Sequence, residues 1–303
     1  MDAVRTTLLT IALCAIITNI VSVYFLYKKR LKNNYVILCI NLSLSDLLQS
    51  FAGYIPVIFF KPNLQKATTL CKLSAFFVAF PSFTTIATLT AISLSRLLLL
   101  TTRYNINQIN YKKLFTKVAI LSWVYGFTWA VLPLLGFSSY ALENTNTRCS
   151  INFSLRNRIE KVYLILLMAF VFFIPVLIIL SSCYFTADLM STKYKYFCLT
   201  YGKENVEAKR FKEKEKKAFS SFILMVFSFI VCWTPYTIIG CLSTFTSAKT
   251  PKWLTEVASL FAKLSALVNP FVYFWKDTLL KKSTIFKRKQ ESKLFNIDIN
   301  RYR

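Results

Sequence analysis

The sequence predicts an all-α membrane protein in which seven transmembrane helices form a bundle and a short amphipathic helix follows. Two observations favour this fold class. Hydrophobic residues make up 55% of the 303-residue chain and the mean hydropathy is +0.48, well above what a water-soluble domain shows. The apolar residues also fall into seven long runs, each of which exceeds the ~20 residues that a helix needs to cross a bilayer.

The seven predicted helices follow one another with polar connections between them. We place them near residues 6–27, 35–60, 70–100, 114–136, 162–187, 217–243 and 254–275. Each of the third to seventh runs contains a proline, which frees a backbone carbonyl and permits a bend. The prolines are Pro81, Pro133, Pro175, Pro235 and Pro270. Kinked helices predict a bundle that can change shape.

Lysine and arginine cluster in the connections on one side of the predicted bundle. These are the segments after helices one, three and five and the tail after helix seven, whereas the N-terminal stub offers only Arg5. The positive-inside rule therefore predicts an outside N-terminus and a cytoplasmic C-terminus. The net charge of +25 thus suits a membrane surface, and we expect no nucleic-acid partner. A few basic residues, such as Arg148 and Arg158, fall on the opposite side, so the asymmetry is a bias.

The segment after the last predicted helix mixes basic and apolar residues at helical spacing. Residues 276–289 are therefore expected to form an amphipathic helix on the anionic inner leaflet, with a solvated basic tail as the alternative. We expect residues 1–285 to form the seven-transmembrane domain and residues 286–303 to form a basic cytoplasmic tail. The chain has no histidine, and its eight cysteines include no CxxC pair, so we expect no metal site.

One lysine, Lys263, lies in the middle of the seventh apolar run. A charge at the centre of a bilayer costs roughly 2.5–3.5 kcal/mol, so we expect this side chain to face the bundle interior and to have a function there. Desolvation favours the neutral amine, and a neutral amine condenses with an aldehyde to form a Schiff base. The alternative is that Lys263 snorkels or pairs with an acid. Asn19, Asp46 and Asn269 are also polar residues in apolar runs, and we expect them to meet in one cluster, either as packing contacts or as a switch region.

A set of motifs occurs in order along the successive helices: Asn19, Asp46 in LSLSD, Cys71, Arg96, Trp123, Cys149, Pro175, Cys232-Trp233-Thr234-Pro235 and Asn269-Pro270-Phe271-Val272-Tyr273. Across about residues 10–285 this set resembles that of the rhodopsin-like (class A) G-protein-coupled receptors. The resemblance implies a disulfide between Cys71 and Cys149, a plasma-membrane location and a heterotrimeric G protein bound at the cytoplasmic face. It also implies a set of switch residues: Asp46, Arg96, Glu215, Asn269, Pro270 and Tyr273.

Within that family the chain resembles the opsins. Lys263 lies six residues before Asn269, which is the spacing of the retinal-binding lysine in opsins, so the resemblance implies retinal bound covalently at Lys263. Trp233 and Tyr236 match aromatic residues of the opsin chromophore pocket. Glu143 lies six residues before Cys149, where opsins carry a loop acid regarded as the ancestral counterion. The stretches LFAKLSALVNP and WAVLPLLGFSSY look most like the peropsin and retinochrome-like group.

A protonated Schiff base is a buried cation and requires a carboxylate partner. We rank Glu143 first, Glu256 second and Asp46 third, because Glu143 lies on the predicted outer loop whereas Asp46 lies deeper. Helix three offers Ser74 where vertebrate visual opsins carry a glutamate. Aromatic residues are expected to line the pocket: Phe76, Phe77, Phe80, Phe83, Phe172, Phe173, Trp233 and Tyr236.

The inner end of helix three departs from the family pattern. Ser95 precedes Arg96 where the family carries an acid, so Arg96 loses one partner, although Glu215 resembles the other. Three functions follow from the sequence. The chain is expected to be a light-sensing opsin rather than an enzyme. The alternatives are a retinal photoisomerase of the retinochrome kind with little signalling, and a non-opsin class A receptor for a small ligand.

Overall fold

The computed structural model describes residues 3–28, 36–55, 67–101, 110–143, 148–153, 157–202, 206–246, 251 and 253–272. Within these residues the chain forms seven helices and one short β-hairpin. The helices are α1 (Ala3–Lys28), α2 (Val36–Tyr54), α3 (Thr69–Thr101), α4 (Tyr111–Val131), α5 (Arg158–Tyr201), α6 (Val206–Phe245) and α7 (residues 253–272). The seven-helix bundle predicted from the sequence is confirmed.

The first six helices each contain a stretch long and apolar enough to cross a membrane. The seventh has polar side chains within its apolar run, among them Lys263 and Asn269, and both are buried against the other helices. The chain is therefore a multi-pass membrane protein, in which lipid-facing positions are apolar and polar groups point into the bundle.

Helix α3 occupies the centre of the bundle and packs against α2, α4 and α5. Asn41 of α2 links three helices, because its amide donates to Thr88 Oγ1 of α3 at 2.8 Å and accepts from Trp123 Nε1 of α4 at 2.7 Å. Between α3 and α4 the backbones approach closely at Gly126. A Cβ atom there would lie 2.2 Å from Thr84 Oγ1 and 2.7 Å from the Phe80 carbonyl oxygen, so the contact requires glycine.

The β-hairpin lies between α4 and α5 and defines what we call the hairpin end of the bundle. Strands β1 (Tyr140–Leu142) and β2 (Cys149–Ile151) pair antiparallel, with Leu142 opposite Cys149. A disulfide joins Cys149 to Cys71 near the start of α3, with the Cα atoms 5.5 Å apart. The hairpin is also anchored to α4, because the Tyr140 hydroxyl donates to the Ala130 carbonyl at 2.8 Å. Burial raises the pKa of Tyr140, which keeps this donor protonated.

Some helix ends differ from the predicted ones. Helix α5 continues to Tyr201 and α6 begins at Val206, well beyond the predicted ends at 187 and 217. The apolar run marks where the chain meets lipid, but a helix continues past that point because its backbone hydrogen bonds do not depend on apolar side chains. Helix α4 ends at Val131, before Pro133, rather than at 136. The predicted amphipathic helix and the basic tail lie outside the described residues.

Two short π-helical segments were not predicted, at Gln49–Tyr54 in α2 and Met168–Phe173 in α5. In the first segment the Gln49 side chain donates to the Tyr54 hydroxyl five residues later. A π-helical turn brings residues five apart onto one face, which an apolar pattern of period 3.6 does not reveal. This segment directs Tyr54 into the bundle.

Candidate functional site

A cavity of about 130 Å³ lies inside the bundle beneath the hairpin. Its wall is mainly apolar and is contributed by every helix except α4, together with the hairpin. The aromatic residues of the wall are Tyr54, Phe83, Tyr140, Phe153, Phe172, Phe229, Trp233 and Tyr236. Of the predicted aromatic lining, Phe83, Phe172, Trp233 and Tyr236 are therefore found here.

The other four predicted aromatics are absent from the wall. Phe76 and Phe80 stack on each other and contact Phe127 of α4, and Phe76 also contacts Phe77. Phe173 is 48% exposed at the bundle surface. The prediction was wrong at these positions because phenylalanine is frequent on every helix and its type does not reveal the face on which it lies.

Lys263 reaches into this cavity from α7 and is 7% exposed. Its amine donates to Ser259 one helical turn earlier, at 2.8 Å from the side-chain oxygen and 3.3 Å from the carbonyl oxygen. The Nζ atom also lies 5.6 Å from the centre of the Tyr54 ring. Serine and a π-face thus position the amine, and neither of them supplies a negative charge.

Among the residues that the structure describes, the acid that lines the cavity is Glu143, directly after strand β1. It is 9% exposed and forms an ion pair with Arg148, with 2.5 Å between its Oε2 and the arginine Nε. The backbone supports the pair, because Glu143 N donates to the Arg148 carbonyl at 2.8 Å. The hairpin and its disulfide thus carry a salt bridge into the cavity.

The sequence interpretation missed Arg148, which it counted only among the basic residues of the outer side. The side chain is 3% exposed and lines the cavity. Neither Nη nitrogen has a hydrogen-bond partner among the described residues. A buried donor without a partner costs about 1–3 kcal/mol, and more when it is charged. Its place directly before Cys149 was the available signal, since the predicted disulfide draws that part of the loop inward.

The other two acids ranked as counterions do not line the cavity. Asp46 of α2 accepts from Asn269 Nδ2 at 2.8 Å and from Thr85 Oγ1 at 3.3 Å, which engages its carboxylate. Glu256 of α7 is half-buried and lies outside the cavity wall. Ser74 does line the wall, but its hydroxyl donates to the Cys71 carbonyl at 2.8 Å.

Two of the three residues of the predicted polar cluster, Asp46 and Asn269, meet near the middle of the bundle. Asn269 and Asp46 join α7 to α2, and Asn19 of α1 donates to the Ala266 carbonyl of α7 at 2.9 Å. Above this cluster, Trp233 of α6 donates from Nε1 to Ser265 Oγ at 3.2 Å. Trp233 also stacks on Phe229 at 5.7 Å and meets Tyr236 edge-on at 6.2 Å. Trp233 and Ser265 thus connect the part of the cavity wall on α6 to α7.

The remaining predicted switch residues lie farther from the cavity. Pro270 is buried, directly after Asn269, whereas Tyr273 lies outside the described residues. Arg96 on α3 and Glu215 on α6 are half-buried near the end of the bundle opposite the hairpin. Ser95 is buried and its hydroxyl donates to the Ile92 carbonyl of its own helix at 2.8 Å.

Seven membrane-crossing helices, a hairpin tethered to the third of them and a buried lysine in the seventh define a heptahelical receptor. Residues 18–273 match the family described as "7 transmembrane receptor (rhodopsin family)", and the chain belongs to that family. Its relatives include opsins. Melanopsin-B of Xenopus laevis is 32% identical over 280 residues, covering 88% of this chain and 51% of that protein.

Melanopsin of Homo sapiens is 29% identical over 280 residues, covering 88% of this chain and 58% of that protein. The chain thus spans about half the length of the curated relatives that it matches. The crystal structure of squid rhodopsin has the same fold, with a TM-score of 0.81 at 22% identity over 89% of this chain and 80% of that one. These comparisons confirm the resemblance to opsins, while the likeness to peropsins and retinochromes stays a prediction.

Proposed function

We propose that the chain is a light-sensing opsin that holds retinal on Lys263 as a Schiff base and signals to a heterotrimeric G protein. The observation that carries this proposal is the buried Lys263 amine, positioned by Ser259 in an otherwise apolar cavity. The melanopsin relatives support the light-sensing role. Retinal, when bound, supplies the absorption of light and a change of isomer.

The residues of the cavity suit this chromophore. Lys263 would hold retinal through its amine, which can condense with an aldehyde to give an imine with release of one water. Aromatic side chains such as Phe83, Phe172 and Trp233 give the apolar wall that a polyene requires. Glu143 supplies the negative charge that a protonated imine needs in a medium of low dielectric constant.

The signal would leave through α6. Trp233 forms part of the cavity wall, and Pro235 lies two residues later in the same helix. A change in cavity shape would therefore displace Trp233 in a helix that can bend at the proline. The basic connections then form the cytoplasmic face that meets the G protein. We further propose that the protein lies in the plasma membrane with the hairpin end outside, in keeping with the positive-inside rule.

A retinal photoisomerase with little signalling is the second candidate. The feature that favours it is Ser95, whose hydroxyl bonds within its own helix, where class A receptors carry an acid beside the arginine. Both candidates use the same cavity and the same lysine, so binding experiments alone do not separate them.

Reconstitution of the purified protein with 11-cis-retinal and, separately, with all-trans-retinal tests the proposal. We expect the wild-type protein to form an absorption band and Lys263→Ala to form none. Lys161→Ala is the control and should form the band, because Lys161 is an exposed lysine at the start of α5. Failure of both isomers to give a band that depends on Lys263 would exclude both retinal functions. Light-driven nucleotide exchange on a G protein supports the receptor, whereas conversion of all-trans to 11-cis without exchange supports the photoisomerase.

A further inference from the structure

A second hollow, of about 480 Å³, lies between α4 and α5 at the hairpin end of the bundle. The described residues that line it differ from those that line the cavity of Lys263, so the two spaces are separate. Its walls come from the end of α4, the turn after it and the first turns of α5. We call it the α4–α5 groove, and its wall includes Trp129, Leu132, Phe137, Arg158, Val162 and Leu166.

Aromatic side chains close the groove on the side that faces the bundle interior. The ring of Trp129 stacks on Phe170 with 5.9 Å between the ring centres, and it lies 6.4 Å from the ring of Tyr163. The Tyr163 hydroxyl donates to the Trp129 carbonyl at 2.9 Å, and the Tyr125 hydroxyl donates to the Phe170 carbonyl at 2.6 Å. These contacts join α4 to α5 behind the groove, which therefore opens toward lipid.

The α5 wall of the groove combines one charge with an apolar strip. Arg158, Val162 and Leu166 recur at four-residue spacing and lie on one face of the helix, with Leu166 about 12 Å along the axis from Arg158. All three side chains are exposed. Arg158 is the first residue of α5, before its apolar part, where a membrane helix meets the lipid headgroups. The wall thus presents a guanidinium at headgroup level and apolar surface at the level of the acyl chains.

The charge of Arg158 is available to a ligand. Within the described residues the structure gives this arginine no ion-pair partner. Glu160 belongs to the same helical turn, but its side chain is half-buried and two residues of a helix point about 200° apart. Lys161 adds a second exposed cation. The rim of the groove is therefore positive, on the side of the bundle where the positive-inside rule gives no reason for basic residues.

We propose that the α4–α5 groove binds one phospholipid of the surrounding membrane, with its phosphate on Arg158 and an acyl chain along Val162 and Leu166. A guanidinium pairs with two phosphate oxygens through parallel hydrogen bonds. Acyl chains are in apolar surroundings wherever they lie in the bilayer, so the phosphate contact decides which lipid stays in the groove. A sterol offers a hydroxyl instead and would leave the guanidinium without an anion.

Photo-crosslinking of the full chain in maltoside micelles, whose headgroups carry no phosphate, tests the site. Two probes carry the same diazirine-bearing acyl chain, one on phosphatidylglycerol and one on diacylglycerol, which lacks the phosphate. Mass spectrometry measures labelling of the α5 segment from Arg158 to Leu166 relative to the exposed α7 surface around Val257. We expect this ratio to be several-fold higher for the phospholipid probe, and equal ratios for the two probes would overturn the proposal.

Arg158→Gln should lower the ratio with the phospholipid probe to that of diacylglycerol, because it removes the charge that holds the phosphate. Lys72→Gln is the control, an exposed cation near the start of α3, and should keep the high ratio. Both side chains are exposed, so neither change removes a buried contact. The same ratio in Arg158→Gln and in the wild type would contradict the site.

Val162→Phe should reduce labelling with both probes by filling the groove, whereas Val124→Phe on the exposed face of α4 should not. Unchanged labelling in Val162→Phe would show that the acyl chain lies elsewhere. Loss of the phospholipid labelling on addition of cholesterol would assign the groove to a sterol, and low labelling of the wild type with both probes would indicate a second copy of the chain; either result would refute the proposal. None of these measurements requires retinal, so their outcome is independent of the proposed function.

Discussion

At the scale of single residues, the site depends on how three side chains share charge. Lys263 is held by Ser259 of its own helix, and Glu143 is held by Arg148 of its own hairpin. The amine and the carboxylate therefore reach the cavity from separate elements, each with a local partner that fixes its position. Preorganisation of this kind keeps a buried charge network in a single geometry.

Replacement of Glu143 by glutamine should shift the visible band of the pigment to the near ultraviolet at neutral pH. The change removes the negative charge from the cavity wall and leaves Arg148, which disfavours a protonated Schiff base. Absorption spectra across a pH range provide the measurement, and Glu256→Gln is the matched control because Glu256 lies outside the wall. If the spectrum is unchanged in Glu143→Gln and shifts in Glu256→Gln, then Glu256 and not Glu143 is the counterion of the Schiff base.

Replacement of Asn269 by alanine should destabilise the protein by about 1–3 kcal/mol, since it leaves the buried Asp46 carboxylate without its 2.8 Å donor. The loss should be much smaller in an Asp46→Asn background, where no charge remains to be satisfied. Thermal unfolding of the four proteins of this double-mutant cycle measures the coupling. Additive effects would show that the two side chains do not interact.

Sequence reasoning found those residues of the site whose chemistry conflicts with lipid. Lys263, Asp46 and Asn269 were identifiable because a polar group in an apolar run must have a partner. Arg148 was not, because a basic residue in a loop is ordinary until the hairpin register and the disulfide place it under the bundle. Ser259 was missed for a similar reason, since serine is common in helices and its role depends on the neighbour one turn away.

At the scale of elements, close packing of α3 on α4 sets the shape of the bundle beside the cavity. Gly126 permits the approach, with Thr84 and the Phe80 carbonyl directly against it. The π-helical turn in α2 has a comparable effect on Tyr54, which it directs toward Lys263. The apolar pattern predicts where these helices lie, but it does not predict their local distances, which depend on backbone contacts.

Gly126→Ala should reduce stability by about 1–3 kcal/mol, because the new methyl group meets backbone that can move only if the two helices separate. Val124→Ala on the exposed face of the same helix is the control and should have a small effect. The thermal unfolding midpoint of the purified protein distinguishes them. Equal midpoints for Gly126→Ala and wild type would mean that α3 and α4 adapt without cost.

At the scale of the whole molecule, the features are arranged from one end of the bundle to the other. The hairpin closes the cavity, the Asp46–Asn269 contact lies in the middle, and Arg96 and Glu215 lie toward the opposite end. The long continuations of α5 and α6 extend that opposite end. This order suits a protein that receives a change in its cavity and passes it through α6 and α7.

Ser95→Asp should lower nucleotide exchange on a G protein in the dark several-fold, because an acid beside Arg96 adds an ion pair within the resting arrangement of the bundle. Exchange measured with a non-hydrolysable nucleotide, in the dark and after illumination, gives the result. Thr101→Asp, an exposed position at the end of the same helix, is the control. Dark activity that is the same in Ser95→Asp and wild type would argue against a resting-state role for this position.

We propose that Lys263 carries the chromophore, and mass spectrometry of the reduced pigment tests this attachment most directly. Borohydride converts a Schiff base to a stable secondary amine, so peptides from the treated, retinal-loaded protein retain the retinyl group at the residue that bound it. We expect that group on the peptide containing Lys263 and on no other lysine. A retinyl group located elsewhere, or no adduct in a protein that has taken up retinal, would contradict the account.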